Sequence, residues 1–236
     1  MEEVRAKLIQ RIKRTSSVES FRFLPEKKID FIAGQFLQVI FDENNRNNKE
    51  LNKYLSFSSS PGHDYFEVTK RISESAFSAK LESLKTGDDF LFKASMGACV
   101  FKDEYKKIAF LIGGIGITPV ISIIEYITGN KINTDVMLFY SNRNEEDIAF
   151  KTELDKWREN NLNIKVFYTV TDCQPVNKEC IFGRIDKDLL LNKIPDIKER
   201  LFFIFGPPKM VEAMENICVE VSSIKENIKT ESFIGY

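Results

Sequence analysis

The sequence predicts a chain of two domains, a six-stranded antiparallel β-barrel over residues 1–103 and an α/β domain with a parallel sheet over residues 104–236. Two observations lead to this prediction. Short segments of alternating apolar and polar residues dominate the first hundred positions, whereas continuous apolar strands alternate with amphipathic helices from residue 107 onward. The length of 236 residues also suits two domains of about 100–130 residues each.

The N-terminal domain is predicted from its short strands and one helix. The Asn-rich segment 43–51 is a loop, and residues 75–85 place Phe77, Leu81 and Leu84 on one helical face. Six short strands with one helix are typical of a small antiparallel barrel. The predicted strands are VRAKLIQRIKRT, SFRFLP, GQFLQVIF (34–41), KYLSFSSSP (53–61), YFEVTKRI (65–72) and FLFKAS.

The C-terminal domain is predicted from alternating buried strands and helices. The strands are KIAFLIGG (107–114), DVMLFYSNR (135–143), IKVFYTVT and ERLFFIFGPP. The helices are ITPVISIIEYITGN, EEDIAFKTELDKWRENN, DKDLLLNKI and KMVEAMENICVEV, and ESFIGY is a tail. Such an order predicts a parallel sheet covered by helices on both faces.

Composition excludes several classes of function. A net charge of −1 gives no strong field for nucleic acid or an anionic membrane. No apolar run approaches the roughly 20 residues of a membrane span, and the start MEEVRAKLIQ is unlike a signal peptide, so a cytoplasmic location is expected. His63 lies in a turn segment, and no spacing predicts a metal site. The scattered cysteines are expected to be free thiols without an assigned role: Cys99, Cys173, Cys180 and Cys218.

Two glycine motifs follow apolar strands of the predicted parallel sheet. In FLIGGIGITPV (110–120) the glycines allow close backbone approach to a ligand, and the following helix start offers N–H groups to a phosphate. In FIFGPPKM the prolines fix a turn at the carboxyl end of a strand, where open α/β sheets bind ligands. Each motif alone is also compatible with a tight structural turn. Together they predict a dinucleotide site.

Four motifs, in order along nearly the whole chain, carry a family resemblance: a serine-rich barrel strand, GGxGxTP, GPPxM and a C-terminal acid–x–aromatic. The chain resembles the ferredoxin–NADP reductase superfamily, in particular single-chain bacterial FAD-dependent oxidoreductases and the reductase modules of oxygenases and flavohaemoglobins. The resemblance implies FAD bound to the barrel and hydride transfer to it from NADPH or NADH. Electrons would pass to a separate ferredoxin, flavodoxin or oxygenase component. The alternative is a non-catalytic flavin-binding regulatory or electron-transfer subunit.

The resemblance assigns the FAD contacts of KYLSFSSSP. The family motif Arg-x-Tyr-Ser-x-x-Ser falls on Lys53, Leu55, Ser56 and Ser59. Lys53 departs from the pattern because lysine neutralises a pyrophosphate without the bidentate fork of arginine, and it is alternatively an ordinary surface residue. Leu55 packs against the flavin without aromatic stacking. Tyr54 would contact the flavin only in a different register, since neighbouring strand residues face opposite sides.

A second FAD contact is implied at the start of the barrel helix. The family pattern Gly-x-x-Ser falls on SAFS, with Ser75 in place of glycine. The N–H groups of Ala76, Phe77 and Ser78, with the Ser78 hydroxyl, are expected to hold the pyrophosphate. Lys70 is a further expected FAD contact. Alternatively Ser75 is an ordinary helix cap, which shares this geometry.

The resemblance also assigns two catalytic residues and a covering tail. Ser56 is expected near the reacting nitrogen of the flavin, and Glu231 near the nicotinamide. Phe233 completes the acid–x–aromatic pattern and is expected on the other flavin face. Tyr236 extends beyond it and covers either the flavin or the adenine. The C-terminal tail is therefore expected to return to the flavin.

The nicotinamide contacts are expected at the ends of three parallel strands. Ser141 and Arg143 follow the second of these strands and are able to grip a 2′-phosphate. Arg143 alternatively pairs with the acids Glu145, Glu146 or Asp147, so the preference between NADPH and NADH stays open. The complete expected set is Gly114, Gly116, Thr118, Ser141, Arg143, Gly206, Pro207 and Met210.

Overall fold

A computed structural model describes residues 2–222 and 225–233 of the chain. These residues divide into two compact units. The first extends to Phe101 and includes Thr118–Tyr126, whereas the second contains Lys102–Ile117 and resumes at Ile127. The predicted boundary between residues 103 and 104 stays a prediction.

Six antiparallel strands form the sheet of the first unit, in the order β4-β3-β6-β1-β2-β5. An isolated bridge between Phe57 and Val68 joins the chain beyond β4 to β5, so the two edges of the sheet meet and the predicted barrel is confirmed. The strands β1 to β6 are Glu2–Lys13, Val18–Pro25, Phe36–Ile40, Asn52–Ser56, Phe66–Arg71 and Asp89–Met96.

Strand alternation sends every second side chain into the barrel interior. Phenylalanine is the most frequent residue at these buried positions. The ring of Phe23 lies 5.5 Å from that of Phe66 and 4.7 Å from that of Phe90, measured between centroids. Such aromatic pairs contribute about 0.5–1.5 kcal/mol each beyond the burial of their area. Helix α1 (Ala76–Ser83) adds Phe77 to this core and is thereby fixed to the barrel.

Six parallel strands form the sheet of the second unit, in the order β10-β9-β8-β7-β11-β12. Every neighbouring pair is parallel, as predicted for this domain. Helix α2 (Thr118–Gly129) follows β7 after a 3-10 turn at Gly114–Ile117. The strands β7 to β12 are Lys107–Gly113, Asp135–Asn142, Ile164–Val170, Cys180–Phe182, Leu201–Gly206 and Ile228–Ser232.

Helices cover both faces of this parallel sheet, as predicted. On one face, Phe139 and the neighbouring apolar side chains pack with α4 (Lys187–Lys193) and α5 (Pro208–Ser222). On the opposite face, the hydroxyl of Tyr168 donates to Asp155 of α3 (Lys151–Asn160) at 2.8 Å. The face that a side chain occupies follows from its position along the strand. The same helix carries Trp157, the single tryptophan of the chain.

Three elements differ from the sequence prediction. The short strand β10 (Cys180–Phe182) was not predicted. The helix predicted to begin at Glu145 is a 3-10 turn at Glu145–Asp147, and α3 begins only at Lys151. Phe150 between them has a φ of 61°, a left-handed conformation that interrupts the helix. The predicted tail begins as strand β12, which pairs along β11 from Ile228 to Ser232.

A buried arginine joins the amino ends of three strands in the second unit. Arg200 is 3% exposed and donates from two nitrogens to the carboxylate of Asp196, at 2.7 and 3.1 Å. It also donates to the carbonyl of Ile108 at 3.1 Å and lies 2.7 Å from the carboxylate of Asp135. Burial alone would raise the pKa of Asp196, but hydrogen bonds from Arg200 and Lys107 lower that pKa to about 2.

Candidate functional site

The serine-rich stretch after β4 is buried and hydrogen-bonded within its own unit. The hydroxyl of Ser58 donates to the carboxylate of Glu67 at 3.1 Å, and that of Ser59 accepts the Glu67 N–H at 2.9 Å. The N–H of Ser60 donates to Glu125 of α2 at 2.6 Å. The sequence assigned no role to Ser58 and Ser60. In the structure they fix the backbone of this stretch, while the Ser59 oxygen is used as an acceptor.

Two acids that the sequence analysis missed hold this stretch in place. Glu67 is 2% exposed and lies 3.1 Å from Arg14 and 2.9 Å from Arg22. Glu125 is the single charged residue of α2, whose other residues are mostly apolar. Its position in an apolar helix was a detectable signal, as was the place of Glu67 in a buried strand. The contact of Glu125 was not detectable because Ser60 lies 65 residues away along the chain, and no local pattern connects Glu67 with Ser58 and Ser59.

The flavin motif of β4 presents two different faces. Leu55 is 9% exposed and packs in the barrel core, whereas Tyr54 is 60% exposed and contacts the ring of Phe36 edge-on at 5.7 Å. The two side chains therefore point to opposite sides, as strand geometry requires. Ser56 is buried and its hydroxyl makes no hydrogen bond to another residue that the structure describes. Tyr54 thus exposes most of an aromatic ring on this strand. Within the described part of the chain, Ser56 provides a hydroxyl group that is free to bond a ligand.

Three cationic side chains gather near the ends of β4 and β5. Lys70 is buried and donates from Nζ to the carbonyl of Arg71 at 2.7 Å. Burial, followed by the positive charges of Lys53 and Arg71, lowers the pKa of Lys70 to about 8. Like charges collected at a buried position are favourable for binding an anion. Arg71 was not among the predicted site residues.

The start of α1 gathers three hydroxyl groups. Ser75 caps the helix by accepting the N–H of Ser78 at 3.2 Å, so the capping alternative is correct for its side chain. The hydroxyl of Ser73 lies 3.1 Å from that of Ser75 and 3.2 Å from that of Ser78. Ser73 precedes the matched pattern, which is why sequence comparison with the motif missed it. Ala76 is exposed, and the Phe77 side chain is in the barrel core, so Phe77 has only backbone groups to offer a ligand.

The two glycine motifs meet at the carboxyl ends of β7 and β11. A Cβ atom on Gly116 would lie 2.5 Å from the carbonyl oxygen of Phe205, and one on Gly206 would lie 3.2 Å from the backbone nitrogen of Gly113. A side chain on Gly113 would collide with the sulfur of Met210. At Gly116 the overlap is with backbone atoms, so this position tolerates only glycine without movement of the chain. The motifs therefore form one tightly packed edge of the sheet.

The turns around this edge follow the predicted order. Gly114 has a φ of 53°, and the chain passes through a 3-10 turn before Thr118 begins α2. Thr118 is buried. Pro207 separates Gly206 from α5, and a side chain on Gly113 would lie 3.1 Å from its ring.

The turn after β8 brings Ser141 and Arg143 to the same edge. Ser141 is the register partner of Gly113 on β7. Arg143 is exposed and forms no ion pair with any residue in the described part of the chain. Glu145, one of its suggested partners, instead accepts the N–H groups of Val176 and Asn177. Arg143 therefore keeps its charge available at this edge.

The C-terminal strand places the predicted acid beside the second glycine motif. Glu231 is the register partner of Phe205, and the N–H of Phe233 donates to the carbonyl of Gly206 at 3.0 Å. Burial raises the pKa of Glu231. Tyr236 lies outside the described residues.

Other groups of the described chain contribute little to these sites. Cys173 is exposed and Cys99 partly so, while Cys180 and Cys218 are buried, and none of the four forms a disulfide within the described residues. Within residues 2–222 and 225–233, no group of three or more potential ligands is placed to hold a metal ion. No helix in this part of the chain is long and apolar enough to cross a membrane.

Comparison with known sequences agrees with this arrangement. Residues 110–216 match the oxidoreductase NAD-binding domain family. An NADH-cytochrome b5 reductase-like protein of Arabidopsis thaliana is 33% identical over 67% of this chain and 49% of its own length. Reductase component 1 of terephthalate 1,2-dioxygenase from Comamonas sp is 22% identical over 88% of this chain and 60% of its own length. The chain thus spans less than two thirds of these two relatives.

Solved structures share the whole two-domain fold. The flavohem-like FAD/NAD binding domain of nitric oxide dioxygenase from Vibrio cholerae gives a TM-score of 0.86 at 15% identity, covering 98% of both chains. A ferredoxin NADP+ reductase from Neisseria gonorrhoeae, with bound FAD and NADP, gives 0.82 at 21% identity over 98% of this chain and 99% of that one. Residues 110–216 therefore match an oxidoreductase NAD-binding domain, and the whole chain has the barrel-plus-parallel-sheet fold of these solved structures.

Proposed function

We propose that this protein oxidises NADH or NADPH through bound FAD and passes the electrons to a separate redox protein. The observation that carries the proposal is the meeting of two glycine motifs at the carboxyl ends of adjacent parallel strands, where open α/β sheets bind dinucleotides. Relatives named as reductases of cytochrome b5 and of a dioxygenase support it. A ferredoxin, a flavodoxin or an oxygenase component is the proposed class of acceptor.

The barrel residues fit the two ends of FAD. The charges of Lys53, Lys70 and Arg71 suit its pyrophosphate, with hydroxyl and N–H groups from the start of α1. Ser59 and Ser78 are proposed to donate their hydroxyl protons at this end. Tyr54, rather than Leu55, is proposed to supply the aromatic surface for the flavin ring, because Leu55 is committed to the barrel core.

The residues of the second unit fit the nicotinamide dinucleotide. Gly116 and Gly206 allow the glycine turn and the end of β11 to approach closely, and Gly114 adopts the left-handed conformation of the turn. Backbone N–H groups of this turn are proposed to bind the pyrophosphate. When bound, FAD accepts a hydride from the nicotinamide and releases electrons singly. Ser56 is proposed to donate its unused hydroxyl to the flavin, and Glu231 to position the nicotinamide. Phe233, and Tyr236 beyond the described residues, are proposed to screen this site from water.

Replacing Lys70 with methionine is expected to weaken FAD binding at least about tenfold while stabilising the FAD-free protein by about 1–3 kcal/mol. The folded-state pKa of about 8 lies below the ordinary value of 10.5, so below pH 8 the folded protein carries the full cost of the buried charge. This cost falls as the pH rises from 8 to 10.5, and the gain from Lys70→Met should shrink over the same range. FAD titration and urea denaturation at several pH values measure both effects.

The exposed Lys80 of α1 provides the matched control for Lys70. Lys80→Met is expected to change neither FAD affinity nor stability by a measurable amount. If Lys70→Met destabilised the FAD-free protein and left FAD binding intact, the assignment of Lys70 to the pyrophosphate would be wrong.

The activity is tested by anaerobic reduction of the purified protein loaded with FAD. NADH or NADPH is expected to bleach the flavin absorbance, and Glu231→Gln to slow this step by about 10- to 100-fold at unchanged flavin content, because the nicotinamide is less well placed. The exposed Glu226 gives the control substitution Glu226→Gln, expected to act as the unmodified protein. FAD binding without reduction by either nucleotide would favour the non-catalytic alternative.

A further inference from the structure

Close to Arg143 in the sequence, the carboxylate of Glu145 is bound by two successive backbone N–H groups of another segment. Glu145 lies in the 3-10 turn that follows β8. One of its carboxylate oxygens accepts the N–H of Val176 at 2.5 Å and that of Asn177 at 3.1 Å, and the other lies 3.3 Å from the nitrogen of Asn177. Successive backbone N–H groups that converge in this way form a typical binding site for anions, including phosphate groups.

Under the proposed function, this turn lies at the sheet edge that would receive the adenosine end of the dinucleotide. The loop 171–179 joins β9 to β10, and it is attached to the end of β8 by the N–H groups of Thr171 and Asp172, which donate to the carbonyl of Arg143 at 3.1 and 3.0 Å. β8 is the direct neighbour of β7, which leads into the glycine turn. In dinucleotide-binding sheets an acid after the next strand contacts the ribose 2′-hydroxyl, whereas an arginine there accommodates a 2′-phosphate.

A buried polar side chain at this edge independently indicates a polar ligand. Asn142 is 6% exposed, and neither atom of its amide has a hydrogen-bond partner among the described residues. Because buried polar groups are nearly always hydrogen-bonded, a polar ligand at this edge would satisfy this amide.

We infer that Glu145 makes the protein select NADH over NADPH, an inference that rests on the proposed function. A 2′-phosphate at this edge would face the negative charge of Glu145 and find the N–H groups of Val176 and Asn177 already bonded. The uncharged 2′-hydroxyl of NADH meets neither obstacle. Arg143 attracts a phosphate, but a carboxylate two residues away offsets that attraction.

The inference is tested by calorimetric titration of the full chain with 5′-AMP and with 2′,5′-ADP, which need no flavin chemistry. The unmodified protein is expected to prefer 5′-AMP. Glu145→Ala removes the charge and vacates the N–H groups, and it is expected to shift the affinity ratio towards 2′,5′-ADP by about tenfold or more. Glu145→Gln removes the charge but keeps an acceptor for the N–H groups, so a smaller shift is expected. The ratio of kcat/KM for NADPH over NADH should rise in parallel.

Two further variants separate charge selection from loop attachment. Glu146→Ala makes the same charge change at an exposed neighbouring position and is expected to leave the ratio unchanged. Adding Arg143→Ala to Glu145→Ala should cancel the gain for 2′,5′-ADP. Equal weakening of both ligands by Glu145→Ala would mean that Glu145 only holds the loop, and the inference would be overturned. If neither nucleotide bound any variant, the proposed function would fail as well.

Discussion

Replacing Gly116 with alanine is expected to remove NADH and NADPH binding and to lower the free energy of unfolding by about 1–3 kcal/mol. The new Cβ would lie 2.5 Å from the carbonyl oxygen of Phe205, 2.7 Å from its carbonyl carbon and 3.0 Å from the nitrogen of Gly206. All three are backbone atoms, so no side-chain rotation relieves the overlap. The glycine turn and the end of β11 must separate, and the nucleotide edge loses its shape.

A matched control for this substitution lies in the same region of the chain. Gly129 at the end of α2 has no atom within 4 Å of the position that a Cβ would occupy. Gly129→Ala is expected to leave nucleotide binding unchanged and to alter stability by no more than about 1 kcal/mol, in the stabilising direction. Urea denaturation and titration with NADH measure both variants. Normal NADH binding by Gly116→Ala would show that the two glycine motifs do not form the dinucleotide site.

Replacing Arg200 with methionine is expected to lower the free energy of unfolding by about 3–5 kcal/mol. The substitution leaves the carboxylates of Asp196 and Asp135 without their buried cation and the carbonyl of Ile108 without its donor. Asp196 keeps Lys107 as a partner at 2.9 Å, whereas Asp135 and the carbonyl of Ile108 lose the guanidinium that faced them. Arg46, whose pair with Glu3 is largely exposed, is the control, and Arg46→Ala should cost less than about 1 kcal/mol.

The pH dependence of stability gives a second measurement on the same cluster. Asp196 has its pKa lowered to about 2 in the folded protein, against about 3.9 for an ordinary aspartate. The contribution of Asp196 to the free energy of unfolding is therefore complete above pH 4 and is lost as the pH falls from 4 to 2. In Arg200→Met the pKa of Asp196 should return towards the ordinary value, and this part of the acid dependence should weaken. If Arg200→Met showed the same loss of stability between pH 4 and 2 as the unmodified protein, the Arg200–Asp196 pair would not be the cause of that loss.

The fold was predictable because hydrophobic periodicity changes sharply between the two domains. Continuous apolar segments such as KIAFLIGG are unambiguous buried strands, and the alternating segments before them are equally clear. β12 escaped prediction because Ile228–Ser232 mixes charged and apolar residues, and its pairing with β11 decides its structure. The start of α3 escaped because the left-handed conformation of Phe150 depends on its buried surroundings rather than on local pattern.

The candidate site was predictable where a motif fixes the backbone and less so where partners come from distant segments. The glycine motifs met as expected, since parallel strands end at a common edge. The contacts of Ser58 and Ser60 depend on Glu67 and Glu125, which no local pattern connects to them. The placement of Leu55 in the barrel core follows from the register of β4 with β3, which the sequence does not display.

The location of Trp157 has a spectroscopic consequence. This single tryptophan lies on α3 of the second unit, whereas the first unit contains only phenylalanine and tyrosine as aromatic side chains. Tryptophan emission therefore reports the unfolding of the nucleotide-binding unit alone, and the emission of a bound flavin would report the barrel. Recording both signals along one denaturation curve would show directly whether the two units unfold as one cooperative system or in separate steps.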